Sequence, residues 1–196
     1  MEILYTAIEE KQAELEESLL TVQHRKEHIK RACDEKSHGK AHNFTRQDQE
    51  NIRLEELSMQ ENEINVEYDI LNDIQANSCN YEDMRLAARS AHTCILENNS
   101  LSTSLNAEED KLERLSSKAE RTYQDLIIEY KRLKKSPPAG LTQEELLILY
   151  MGHERKIACE RVKRDLFTIM AQQLQYERSS CKSEDILNPE IDGLAI

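Results

Sequence analysis

Any chemistry in this chain would have to start from its histidines, cysteines and carboxylates. His24 and His28 stand four residues apart, a spacing that puts two imidazoles on one face of a helix. Cys33, His38 and His42 follow closely enough to add ligands. The set matches no zinc-finger spacing, and zinc sites usually draw paired ligands from two elements, so solvated helix histidines are the expectation. A dinuclear iron site in a helical bundle needs two glutamates and two Glu-x-x-His pairs. Glu35 with His38 alone fits that pattern, and it falls at a predicted helix end.

The nucleophile motifs are missing as well. There is no G-x-S-x-G elbow, no H-E-x-x-H and no glycine-rich phosphate loop, and four glycines leave few places for backbone to wrap a phosphate. The sequence therefore predicts no catalytic residue, no metal ligand and no cofactor. Ser136 before Pro137 could accept a proline-directed phosphate, but that pair is common.

Composition narrows the partners. The net charge of −12 argues against a protein that reads nucleic-acid backbone or lies on anionic lipid, since both need surplus Lys and Arg. Between Asp48 and Asp83 stand eleven carboxylates and one base, Arg53. Arg155, Lys156, Arg161, Lys163 and Arg164 form a basic run, read as a solvated face, with internal or partner pairing as the alternative. Direct nucleic-acid binding is not expected, and microtubule contact has no support beyond these basic clusters. The five cysteines are odd in number, widely separated and without a C-x-x-C pair, as expected for reduced thiols in cytoplasm or nucleus. Residues 1–10 lack a signal-peptide core, and no run approaches the roughly 20 apolar residues that span a bilayer. An intracellular protein without membrane insertion follows, free in the cell or on cytoskeletal structures.

The elements that would position these side chains are helices. Aromatic residues make up 5% of the chain, charged ones 33%, and Gly and Pro are scarce, a composition suited to long helices with narrow apolar seams. The first predicted helix, residues 2–36, repeats Met1, Ile8, Leu15, Val22 and Ile29 at every seventh position, while Lys11, Ser18 and Arg25 interrupt its second seam position. A break near Gly39 and a cap at Thr45 lead to a second helix ending near Ala76, so residues 1–76 read as an antiparallel hairpin. Residues 77–80 form a weak break. Residues 77–135 then read as one long coiled-coil helix, with Met84, Ala91, Asn98, Leu105, Leu112, Ala119, Leu126 and Leu133 at strict seven-residue steps. Such a rod would extend about 80 Å. Ala88, Ile95, Tyr123 and Tyr130 broaden its stripe, so it should bury against more than one neighbour.

Residues 136–182 begin with Ser136-Pro137-Pro138-Ala139-Gly140, which ends the rod, and a capping box at Thr142-Gln143-Glu144-Glu145 starts a last helix. This helix should run to about residue 178, with Leu147, Tyr150, Ile157, Val162, Leu166, Ile169, Met170 and Gln173 buried against the end of the rod. Residues 183–196 read as a flexible acidic and apolar tail, in which Ile186, Leu187, Ile191 and Leu194 could dock on a partner. The fold expected is all-α, an elongated coiled coil or multi-helix bundle of about four long helices.

In composition the chain resembles the small coiled-coil subunits of spindle, kinetochore and centrosome complexes. That resemblance implies a non-catalytic structural subunit of a multiprotein assembly. Its partner-binding seam would be Ile8, Leu15, Val22, Ile29, Met84, Ala91, Asn98, Leu105, Leu112, Leu126 and Leu133. Incomplete seams favour hetero-assembly with other coiled-coil chains over a homodimer, and the isolated chain is expected to be self-associated or incompletely folded. A membrane-trafficking adaptor or tether is the alternative, and a helical-bundle metal enzyme a weaker one.

Overall fold

The computed structural model describes residues 2–37, 44–76, 81–97 and 102–187. Five helices account for nearly all of them, and no strand occurs among them: α1 (Glu2–Ser37), α2 (Phe44–Gln75), α3 (Glu82–Glu97), α4 (Ser102–Lys135) and α5 (Gln143–Leu187). The all-helical expectation holds. The predicted turn at Gly39 lies outside the described residues.

α1 and α2 pair antiparallel. The Tyr68 hydroxyl donates to the Gln12 carbonyl at 3.0 Å, Lys26 meets Glu61 at 2.6 Å, and the Cys33 thiol donates to Glu50 at 3.0 Å. α2 ends beside α3, where Arg85 is buried and donates to the Ile74 carbonyl at 3.1 Å. That bond satisfies one of the carbonyls a helix leaves unpaired at its C-terminus.

The rod expected over residues 77–135 is instead two helices. Ser90 on α3 donates to Glu108 at 2.9 Å, and Lys111 donates back to Ser90 at 3.1 Å, so α4 returns along α3. Asn98 lies outside the described residues. Both helices keep the seven-residue phase because both turn it to the same core: Met84, Ala91, Leu105 and Leu112 are all buried. Ala87, Ala88 and Ala91 are nearly inaccessible, and such small side chains allow helices to approach closely.

The turn after α4 forms as predicted. Gly140 takes φ of 86°, in the left-handed region that favours glycine. Thr142 N–H donates to the Glu145 carboxylate at 2.8 Å, and Glu145 N–H donates to the Thr142 hydroxyl at 3.2 Å, a reciprocal capping box. α5 then runs back along the whole of α4 rather than its end alone. Ser116 meets Thr168 at 2.9 Å, Arg164 meets Glu120 at 2.8 Å, and Arg178 reaches Glu109 at 2.7 Å. α5 also continues past residue 178 to Leu187, which places Ile186 and Leu187 in a helix rather than an extended tail. Ile191 and Leu194 lie outside the described residues.

α5 crosses the open end of the α1/α2 hairpin. On α1, Glu10 pairs with Gln173 and Lys11 with Asp165; on α2, Glu67 pairs with Arg161 and Asp73 with Arg155. Contacts from both helices thus fall on one stretch of α5, residues 155–173. The core sits at this crossing, where Ile8, Leu15, Ile70, Leu71 and Ile74 meet Met84, Val162, Leu166, Met170 and Leu174. Each fully buried aliphatic side chain there contributes about 1.5–3 kcal/mol.

The reversal between α3 and α4 is open to a direct check. In S90C/K111C, a short bifunctional maleimide should join the two positions, mapped by peptide mass spectrometry. An uninterrupted helix would hold them about 32 Å apart, beyond its reach, and no such cross-link would form.

Candidate interaction surfaces

Lys11 occupies a seam position of α1, and its side chain is almost fully buried. An ammonium there needs carboxylates around it. Asp165 on α5 lies at 2.8 Å, Glu14 one turn along α1 at 3.1 Å, and Glu67 on α2 at 4.0 Å. From these the network spreads. Arg161 contacts Glu67 at 2.5 Å and Glu63 at 3.6 Å, while Arg164 contacts Asp165 at 2.6 Å and Glu120 on α4 at 2.8 Å. Four helices are thereby tied through one set of charges, beside a cleft of about 360 Å³.

Carboxylates outnumber cations in this network, and the protonation tendencies follow. Burial pushes the Glu67 carboxyl above its usual value, and the nearby Arg161 and Lys11 only partly oppose it. For Lys11, burial pulls the ammonium down, yet the hydrogen bond and charge of Asp165 outweigh it and leave the group above 10.5. Glu120 moves the other way, held low by the hydrogen bond from Arg164.

Three arginines of the basic run on α5, expected as a solvated face, are therefore used internally, while Lys156 is exposed and Lys163 pairs with Glu160 on its own helix. Arg155 pairs with Asp73, Arg161 with Glu63 and Glu67, and Arg164 with Glu120 and Asp165. The acid of α2 answers the base of α5. Lys11 interrupts the apolar repeat of α1, and at that point the seam is closed by charge.

Most of the predicted seam is filled by the chain's own helices. Ile8, Leu15, Val22, Met84, Ala91, Leu105 and Leu112 are buried, and Ile29, Leu126 and Leu133 are half-buried. Leu147, predicted as buried, is exposed, and so are its neighbours Ile148 and Met151. The run Leu146-Leu147-Ile148-Leu149-Tyr150-Met151 is apolar all round the helix, a signal that one neighbour cannot cover it.

Ile52 and Met59 on α2 are also exposed and seven residues apart. Their side of the helix is opposite buried Leu57, and one step further along α2 the half-buried Val66 packs, like Ile64 and Tyr68, against the core. Glu55 and Glu56 flank Ile52 and Met59.

His24 and His28 are both exposed on α1. No group of three His, Cys, Asp or Glu among the described residues is placed to hold a metal ion. His38 and His42 lie outside those residues. No helix among them is long and apolar enough to cross a membrane. Comparison with family models, curated proteins and solved structures finds no match.

Lys11→Leu should cost about 3 kcal/mol in urea unfolding, because it removes the buried cation between Asp165 and Glu67 and leaves each of them facing the other with a single arginine partner. Adding Glu67→Leu and Asp165→Leu should recover most of that loss, since Arg161 keeps Glu63 and Arg164 keeps Glu120. The Lys11 contribution is fully present below its unfolded value of 10.5 and is lost as pH rises through the higher folded value. The stability gap between wild type and Lys11→Leu should therefore narrow in alkali, followed by circular dichroism.

Proposed function

We propose that this chain is a structural subunit of a multiprotein assembly, a coiled-coil protein that binds other helical chains and performs no catalysis itself. The observation that carries the reading is an apolar line on α5 that outruns its cover. Ala158, Val162 and Leu166 are buried, and the same line continues towards the N-terminus through Arg155 to Met151, Ile148 and Leu147, which are 59%, 70% and 58% exposed. Water-exposed apolar residues in a contiguous row are a common mark of protein contact.

The exposed pair Ile52 and Met59 on α2 supplies a second face of the same kind, with Glu55 and Glu56 as an acidic border that would set partner choice. Two separate exposed apolar lines, on α2 and on α5, support hetero-assembly with other coiled-coil chains over a plain homodimer. Placement among intracellular cytoskeletal or chromosome-segregation assemblies, of spindle, kinetochore or centrosome type, rests on the resemblance in composition.

The test is comparative purification. Tagged wild type, I52S/M59S and I148S/M151S would be isolated from the source cells, and the co-purifying proteins quantified by mass spectrometry. Wild type should retain a defined set of helical proteins, and each variant should lose part of that set at least tenfold while keeping its own helicity. Identical sets for all three chains would overturn the reading. Adding a purified partner should also raise the helicity and melting midpoint of the isolated chain.

A further inference from the structure

A groove of about 530 Å³ opens where the start of α1, the end of α3 and the latter part of α5 converge. Ile3, Ile95 and Ile169 line it, together with Leu96 and Tyr176. Leu96 is 68% exposed and Tyr176 73%, so both present apolar surface beside the depression. This is a different face from the α2 and α5 stripes.

Charge selects the occupant. Among the described residues, Glu2, Glu10 and Glu177 line the same groove, no Lys or Arg does, and His92 is its one basic side chain. Glu10 also accepts a hydrogen bond from Gln173 at 3.2 Å, which holds one of these carboxylates at the α1/α5 contact. The chain's own residues 188–196 include apolar Ile191 and Leu194, but they carry Glu190 and Asp192 and no base, so they would bring acid to acid. A second copy fits poorly too. Its densest basic cluster, Lys131, Arg132, Lys134 and Lys135, ends α4, where half-buried Tyr130 and Leu133 are already packed within the helix pair.

We propose that this groove binds an amphipathic helix of a partner protein, with apolar anchors flanked by Lys or Arg. The anchors fill the depression between Ile3, Ile95 and Ile169 and pack on Leu96 and Tyr176, while the basic flank faces Glu2, Glu10 and Glu177. Helix-in-groove recognition of this kind reads apolar residues at three- and four-residue spacing, and the charge border adds selectivity and speed of encounter. The proposal rests on the assembly reading above and assigns one of its contacts a chemistry.

The test uses the full chain and two synthetic peptides. One is a helix former with Leu at alternating three- and four-residue steps and Lys on the flanks; the other replaces every Lys by Glu. Binding is read by fluorescence anisotropy at low and moderate salt. The Lys peptide should bind, the Glu peptide should not, and L96S and Y176A should each weaken binding at least tenfold. Both substitutions fall on exposed side chains, and unchanged circular dichroism would show that the fold is kept. L20S, an exposed apolar site elsewhere, and I191S/L194S should bind as wild type does.

No binding of the Lys peptide, or equal binding by L96S and Y176A, would overturn the proposal. A tenfold gain in I191S/L194S would assign the groove to the chain's own tail instead. Conversion of a dimer to a monomer by L96S, seen in sedimentation, would assign it to a second copy. None of these results touches the assembly reading, which is judged on I52S/M59S and I148S/M151S.

Discussion

Lys11 carries a charge into the apolar seam of α1, and the arrangement of three other helices is bound to the need to meet it. Apolar contact alone is non-directional, so two striped helices can slide by a turn and still bury similar area. An ammonium in the core cannot. A shift of one turn, about 5.4 Å, would take Asp165 out of its 2.8 Å contact and leave a buried cation without its main partner. The pair therefore sets the register of α1 on α5, and Glu67 brings α2 to the same point. Arg161 and Arg164 extend the constraint to Glu63 and Glu120, so the crossing of α5 over the α1/α2 hairpin is pinned by charge where hydrophobic packing would tolerate sliding.

This constraint also explains the distribution of acid in the chain. Part of the negative charge on α2 is spent on contacts: Glu61 on Lys26, Glu63 and Glu67 on Arg161, Asp73 on Arg155. Glu55 and Glu56 sit on the outer side with Ile52 and Met59, and both are exposed. One helix thus uses the same residue type for two purposes. Its inward acids hold the bundle, and its outward acids border an apolar stripe.

Helix type and the local signals were legible because they depend on neighbours in sequence. The Thr142–Glu145 capping box and the turn at Gly140 need only a few adjacent residues, and both form as read. The reversal between α3 and α4 was not legible, because a seven-residue repeat records which face is buried and says nothing of direction. Met84 and Leu112 obey one phase while lying on helices that run opposite ways. The role of Lys11 was hidden for a related reason: its partners, Glu67 and Asp165, are far away along the chain, and charge in a seam looks like a defect until they are found. Leu147 failed differently. The apolar run 146–151 was visible, but which of its sides would find cover depends on where α2 and α3 stop.

That last point connects the fold to its outer faces. At about 1.5 Å per residue, the 45 residues of α5 extend about 68 Å, whereas the 16 residues of α3 extend about 24 Å. α4, with 34 residues, covers one side of α5 over most of its length, but α1, α2 and α3 cover the other side only around the crossing. An apolar line that continued past that cover would have no neighbour in the chain, and Met151, Ile148 and Leu147 are in that position. The groove holding Leu96 and Tyr176 arises at the opposite side of the crossing, where the end of α3 and the start of α1 meet α5. The same inequality of helix lengths therefore leaves apolar surface on both sides of the core. The charges that fix the crossing also fix where each surface begins.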